Sequence, residues 1–226
     1  MKRNKNHLFI ALNLFIFITT AIAVPVTLTV GSRATRLDGG DLPYWQHIAT
    51  FTILSNIFLG LIALAATIVG ITKKDKPFSS SFITWYLAAA SAGLVTFFTV
   101  VLFLAPMRAA NGKDYFDMLL ESMFFLHFLN PLLVAFTFIF LTGRSKITLK
   151  SRLLATLPII LYAIPYILNV VVLQTWPDFY GLTFGGKYFL LPLVFVIFII
   201  FIFSLASLLT FLRKKFSLLP LPSVLC

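Results

Sequence analysis

Six apolar runs, joined by short polar connections, take up about two thirds of the chain. About 20 residues carry a helix across the hydrocarbon core of a bilayer. The runs lie near 8–30, 44–72, 82–105, 115–141, 152–173 and 188–212, and each is long enough. The chain is 60% hydrophobic, 11% charged and has a mean hydropathy of +1.00. A soluble domain with that much apolar surface would aggregate, so the composition belongs to the integral membrane class. The expected fold is all-α: a polytopic membrane protein of six transmembrane helices forming a single membrane domain over 1–226. No period of 20–50 residues marks a repeat array.

The net charge of +11 does not point to nucleic acid, because the basic residues sit between apolar runs instead of gathering on one polar domain. They act as topology signals. Lys2, Arg3, Lys5, Lys73, Lys74, Lys76, Arg144, Lys146, Lys150, Arg152, Arg213, Lys214 and Lys215 all fall on one side. The other side has fewer basic residues and carries Asp38, Asp41, Asp114, Asp117 and Asp178, with Tyr44, Trp45, Tyr115, Trp176, Tyr180 and Tyr188 at its rim. Both termini are therefore expected in the cytosol. The basic start, the apolar stretch and Ala21-Ile22-Ala23 resemble a cleavable signal, but the apolar stretch continues through Val30. A retained first helix is the expectation.

Polar residues inside the spans set out a candidate site. Thr52, Ser55 and Asn56 share one helix face, which continues through Gly60, Ala63, Thr67 and Gly70. Small residues at this spacing admit a neighbouring helix, so the face should turn inward. His127 and Asn130 are three residues apart in the fourth run. Pro131 removes a backbone donor and frees the His127 carbonyl. In the fifth run Tyr162, Tyr166 and Asn169 share a face, with Pro158 and Pro165 nearby. Asn56, His127 and Asn169 lie equally far in sequence from Lys73, Arg144 and Arg152. That is about 25 Å of helix, in the outer part of the core. The shared level predicts one polar pocket opening outward.

An ionisable ring in a span needs a partner or a task. His127 is the deepest histidine; His7 and His47 lie near the two rims. An imidazole can take the proton of a threonine hydroxyl during attack on a carbonyl and return it to the leaving group. An apolar setting favours its neutral form, as a base requires. The amides of Asn56 and Asn130 are candidate oxyanion donors, with Ser55, Tyr162, Tyr166 and Asn169 as further pocket residues. No acidic third member is evident, since Glu121 faces elsewhere on the helix. The same residues also fit a structural network: threonines bond back to their own helix, and asparagines join helices. A small-solute or lipid transporter, or a scaffold, would use them so. No metal or cofactor is expected: one deep histidine is far from a zinc site, no glycine-rich phosphate loop is present, and Gly39-Gly40 and Gly185-Gly186 read as turns. The single cysteine, Cys226, reads as a free terminal thiol.

At Phe51-Thr52-Ile53-Leu54-Ser55-Asn56 and Leu126-His127-Phe128-Leu129-Asn130-Pro131-Leu132-Leu133 the chain resembles a family of bacterial six-span membrane proteins. That family is distantly similar to the androgen-induced-gene family of integral membrane threonine hydrolases, which cleave fatty acid esters of hydroxy fatty acids. The resemblance implies Thr52 as nucleophile, His127 as acid and base, a lipid ester substrate and a bacterial plasma membrane location. The proline comes one residue sooner after the histidine than in the eukaryotic proteins, and Thr50 is a second threonine close by.

Overall fold

The computed structural model describes residues 2–32, 44–72, 78–143 and 146–217. Gly39-Gly40, Cys226 and the charges Arg33, Arg36, Asp38, Asp41, Lys73, Lys74, Lys76 and Arg144 lie outside the described residues. The protein is an all-α polytopic membrane protein. Six helices are long and apolar enough to span a bilayer: α1 (Lys2–Thr29), α2 (Phe51–Thr72), α3 (Ser80–Ala110), α4 (Phe124–Leu141), α5 (Leu149–Val172) and α6 (Tyr188–Phe216). The second run is shorter than expected, because Tyr44–Ala49 forms a separate 3-10 turn. The fourth run likewise starts at Phe124, after a 3-10 turn at Tyr115–Leu119. The bundle exposes Leu61, Ile68, Ile164, Ile197, Ile200 and Phe211, an apolar surface suited to lipid.

Neighbours in sequence run antiparallel. Asn6 bonds the Gly70 carbonyl while Gly60 packs on Thr20. Tyr86 meets Thr137, and Gly93 lies against Pro131 and Val134. Tyr166 packs on Phe195, and Arg152 reaches Ser207. The small-residue face of α2 is indeed turned inward, onto α1. A Cβ at Gly60 would lie 2.9 Å from Thr20 Cγ2, and one at Gly70 2.7 Å from Ile10 Cγ1. A larger residue at either position would force the Thr20 or Ile10 side chain to shift, so glycine here favours close packing of the two helices.

Prolines shape three of the spans. A π-helical turn at Val100–Leu104 precedes Pro106, another at Phe124–Leu129 precedes Pro131, and a third at Leu168–Val172 follows Pro165. A proline ring clashes with the carbonyl one turn earlier and supplies no N–H. Widening the turn accommodates both defects before Pro106 and Pro131, whereas the Leu168–Val172 turn lies beyond Pro165 and outside the reach of that clash. In α4 the Asn130 amide bonds the Phe125 carbonyl, five residues back. His127 thus sits inside the proline-induced break.

A buried polar node ties α1, α3 and α4 together. The Tyr86 hydroxyl donates to Asn13 Oδ1 at 2.6 Å and shares a 2.6 Å hydrogen bond with Thr137 Oγ1. In hydrocarbon no water replaces a lost partner, although an unfolded chain in the membrane finds others. Tyr86→Phe is expected to cost about 1–2 kcal/mol. Thermal unfolding in detergent micelles would show it, and an unchanged midpoint would mean the node contributes nothing.

Candidate functional site

The bundle end formed by the 44–50, 111–123 and 174–187 connections holds a cavity of about 310 Å³. Its walls come from Phe51 and Thr52 of α2, Val95, Thr96, Thr99, Val100, Phe103 and Leu104 of α3, Ile159 and Tyr162 of α5, and Val194, Phe195 and Phe198 of α6. Tyr180, Leu182 and Phe184 from the α5–α6 connection complete it. Every polar group on these walls is a hydroxyl, and none is charged. Phe51 and Tyr162, with ring centroids 5.3 Å apart, also line a second recess of about 300 Å³ beside Ser55 and Pro158.

Thr52 is set apart from most threonines of the spans. The hydroxyls of Thr19, Thr27, Thr67, Thr84, Thr137, Thr142 and Thr210 donate back to their own helix carbonyls. Thr52, in the first turn of α2, makes no such bond among the described residues. It lies on the cavity wall beside Phe51, whose amide Tyr180 accepts. Ser55, one turn on, shares a 2.9 Å bond with Thr96 and so fixes α2 against α3 behind the cavity.

His127 is 2% exposed. Its Nδ1 lies 2.7 Å from the Met118 carbonyl oxygen. A carbonyl can only accept, so Nδ1 carries the proton. In the neutral ring, Nε2 then holds the lone pair. Met118 belongs to the Tyr115–Leu119 turn, which folds onto the bundle end. The same turn brings Asp117 to 3.6 Å from Arg108. No local sequence signal marks this fold-back.

Asn56 joins the Thr52 turn to the His127 turn. Its Nδ2 donates to the Thr52 carbonyl at 2.8 Å and to the Leu126 carbonyl at 2.9 Å. Its Oδ1 is buried with no hydrogen-bond partner among the described residues. Asn130 is engaged at both ends by α1: Nδ2 donates to Thr20 Oγ1 at 3.0 Å, and Oδ1 accepts from Thr19 at 2.9 Å. Asn169 bonds the Pro165 carbonyl and accepts from Thr175, closing the end of α5. The residues expected to share one pocket do not all reach this cavity. Thr52 and Tyr162 reach the cavity wall, whereas His127, Asn56, Asn130 and Asn169 do not line it.

A residue read from sequence as a rim aromatic, Tyr180, turns out to be central. Its hydroxyl accepts the Phe51 amide at 2.7 Å and so satisfies one of the open donors at the start of α2. Tyr162 donates to the Ala49 carbonyl at 3.1 Å just beyond. Asp178 pins the Tyr180 loop, accepting from the Tyr166 hydroxyl, from Leu182 N at 3.0 Å and from Thr183 N at 2.8 Å. Burial pushes the Asp178 carboxyl up, but hydrogen bonds from Tyr166, Thr183 and Leu182 outweigh it and hold the pKa below the ordinary 3.8. A carboxyl whose pKa is lowered on folding stabilises above its unfolded pKa and loses that contribution as the pH falls through the folded value. The loop should therefore hold at neutral pH and loosen only below 3.8. Hydrogen exchange at Leu182 and Thr183 would report this. Asp178→Ala should expose both amides at every pH, and unchanged protection in that variant would contradict the pinning role.

No family model matches the chain, and neither a curated protein nor a solved structure is detectably similar to it. What the sequence and structure establish together is an apolar, six-helix integral membrane protein with a mainly apolar cavity at one end of its bundle, its polar side chains all hydroxyls.

Proposed function

We propose that this protein is a lipid ester hydrolase of the cell membrane, in which Thr52 is the nucleophile and His127 the general base and acid. The observation that carries the reading is the Thr52 hydroxyl. It sits in the first turn of its helix, with no helix carbonyl one turn before it to bond, and lies on the wall of an uncharged apolar cavity suited to an acyl chain. The His127 tautomer supports it: Nδ1–H is held by a carbonyl, which leaves Nε2 as the proton acceptor, the form a general base takes. Asn56 supports it too, by stitching the turns of the two residues together.

Thr52 attacks the ester carbonyl and passes its proton to His127. The alkoxide leaves with that proton, and water then releases the acid from the acyl-threonine by the same route. The excess of basic residues at the opposite end of the bundle supports cytosolic termini in a bacterial plasma membrane, with the cavity near the outer face. The resemblance at 51–56 and 126–133 agrees with this chemistry. The test is to treat the purified protein with an alkyl fluorophosphonate and map the adduct. A phosphonylated Thr52 supports the reading, and an adduct at another residue removes Thr52 as nucleophile.

A second reading has its own observation. Asn130 bonds α1 through both its oxygen and its nitrogen, and Asn169 closes the end of α5, structural roles that a non-catalytic transporter or scaffold would need. It predicts no adduct and no hydrolysis.

A further inference from the structure

An acyl-transfer site needs a hydrogen-bond donor aimed at the oxygen that becomes negative. The asparagines are poor sources. Asn56 Nδ2 is held by two carbonyls, and Asn130 Nδ2 by Thr20. The cavity wall offers hydroxyls instead. Tyr162 gives its proton to the Ala49 carbonyl, Thr96 shares one with Ser55, and Thr99 sits on α3 with no hydrogen bond among the described residues that ties it to the Thr52 turn. Tyr180 is different. Its oxygen accepts the amide of Phe51, the residue before Thr52; Thr52 and Tyr162 line the same cavity, the Tyr162 ring centred 6.5 Å from that of Tyr180. No backbone carbonyl takes its proton among the described residues. An amide donating to a phenol oxygen polarises the phenol and makes it a better donor in turn.

We infer that Tyr180 supplies the oxyanion hydrogen bond, its O–H donating to the carbonyl oxygen of a neutral acyl ester held against Thr52. This rests on the reading of Thr52 as nucleophile. When Thr52 Oγ bonds to the carbonyl carbon, the π pair moves onto oxygen and the Tyr180 hydrogen bond strengthens. When the pair returns, the bond to the alkoxide breaks, and the alcohol leaves with the proton that His127 took from Thr52. Tyr180 keeps its own proton throughout. Burial pushes its phenol above the ordinary value of 10, so it stays protonated at working pH. The uncharged walls fit this substrate and give an anionic phosphate headgroup no counter-charge.

The competing role for Tyr180 is structural, as a cap on α2. Two inhibitors of one chain length separate the roles. A decyl trifluoromethyl ketone forms an oxyanion on attack by threonine, whereas the matching decyl methyl ether only fills the cavity. Tyr180→Phe should weaken the ketone about 10²–10³-fold and lower kcat on 4-methylumbelliferyl decanoate to the same extent. Ether binding and KM should stay within about threefold. Equal weakening of ketone and ether, or an unchanged ketone affinity, would overturn the oxyanion role. If Tyr180→Phe does not fold, the full-length wild-type protein with 3-fluorotyrosine incorporated serves instead. A more acidic phenol should tighten the ketone and leave the ether unchanged, and no tightening would count against the proposal. Turnover that persists in Thr52→Ala would sink the nucleophile reading itself, a result distinct from failure at Tyr180 alone.

Discussion

Thr52→Ala is expected to abolish fluorophosphonate labelling and to lower ester hydrolysis by about 10⁴–10⁶-fold, as loss of the nucleophile does in enzymes that form an acyl intermediate. The same change should leave stability within about 0.5 kcal/mol, because the lost hydroxyl makes no bond to its own helix. That pairing is the informative part. A structural threonine such as Thr137, bonded to the Leu133 and Val134 carbonyls and to Tyr86, should show the reverse pattern. Thr52→Ser should keep measurable turnover, since a primary alcohol attacks a carbonyl as well as a secondary one. Wild-type labelling in Thr52→Ala, mapped to Thr50 or Ser55, would move the nucleophile along the helix.

His127→Ala is expected to lower turnover by about 10²–10⁴-fold, the usual contribution of a positioned base. It also removes the bond to the Met118 carbonyl, so some stability loss of about 1–2 kcal/mol should accompany it. Activity alone would therefore not separate a base from a buried strut. Added imidazole does: the missing ring leaves space for one, and a free imidazole can carry the proton. Partial recovery of turnover that follows the concentration of neutral imidazole marks His127 as the base. Restored stability without restored turnover would mark it as structural.

Much of the architecture can be read along the chain, because a span is a local property. About 20 apolar residues satisfy their own backbone as a helix in lipid, whatever their neighbours do. The inward face of α2 was legible for the same reason: Gly60, Ala63, Thr67 and Gly70 recur at helical spacing. Pro131 foretold the break at His127, which the fold realises as a π-helical turn. Depth counted from the flanking charges was a weaker guide. It put Asn56, His127 and Asn169 at one level but could not say which way each amide turns.

The composition of the candidate site was decided only in three dimensions. Tyr180 and Asp178 lie in a connection that reads as ordinary rim sequence. They become wall and latch because the loop folds back onto the start of α2. The Met118 carbonyl selects the His127 tautomer, yet a backbone carbonyl carries no residue identity to recognise. Asn130 looked like a free donor until α1 brought Thr19 and Thr20 against it. A polar side chain in lipid takes whichever partner the packing presents, and that partner can be over a hundred residues away. The sequence by itself determined where the helices are and that His127 lies in a break. The tertiary structure decided which hydroxyls reach the cavity, because hydrogen bonds between helices are assigned by packing and leave no local periodicity behind.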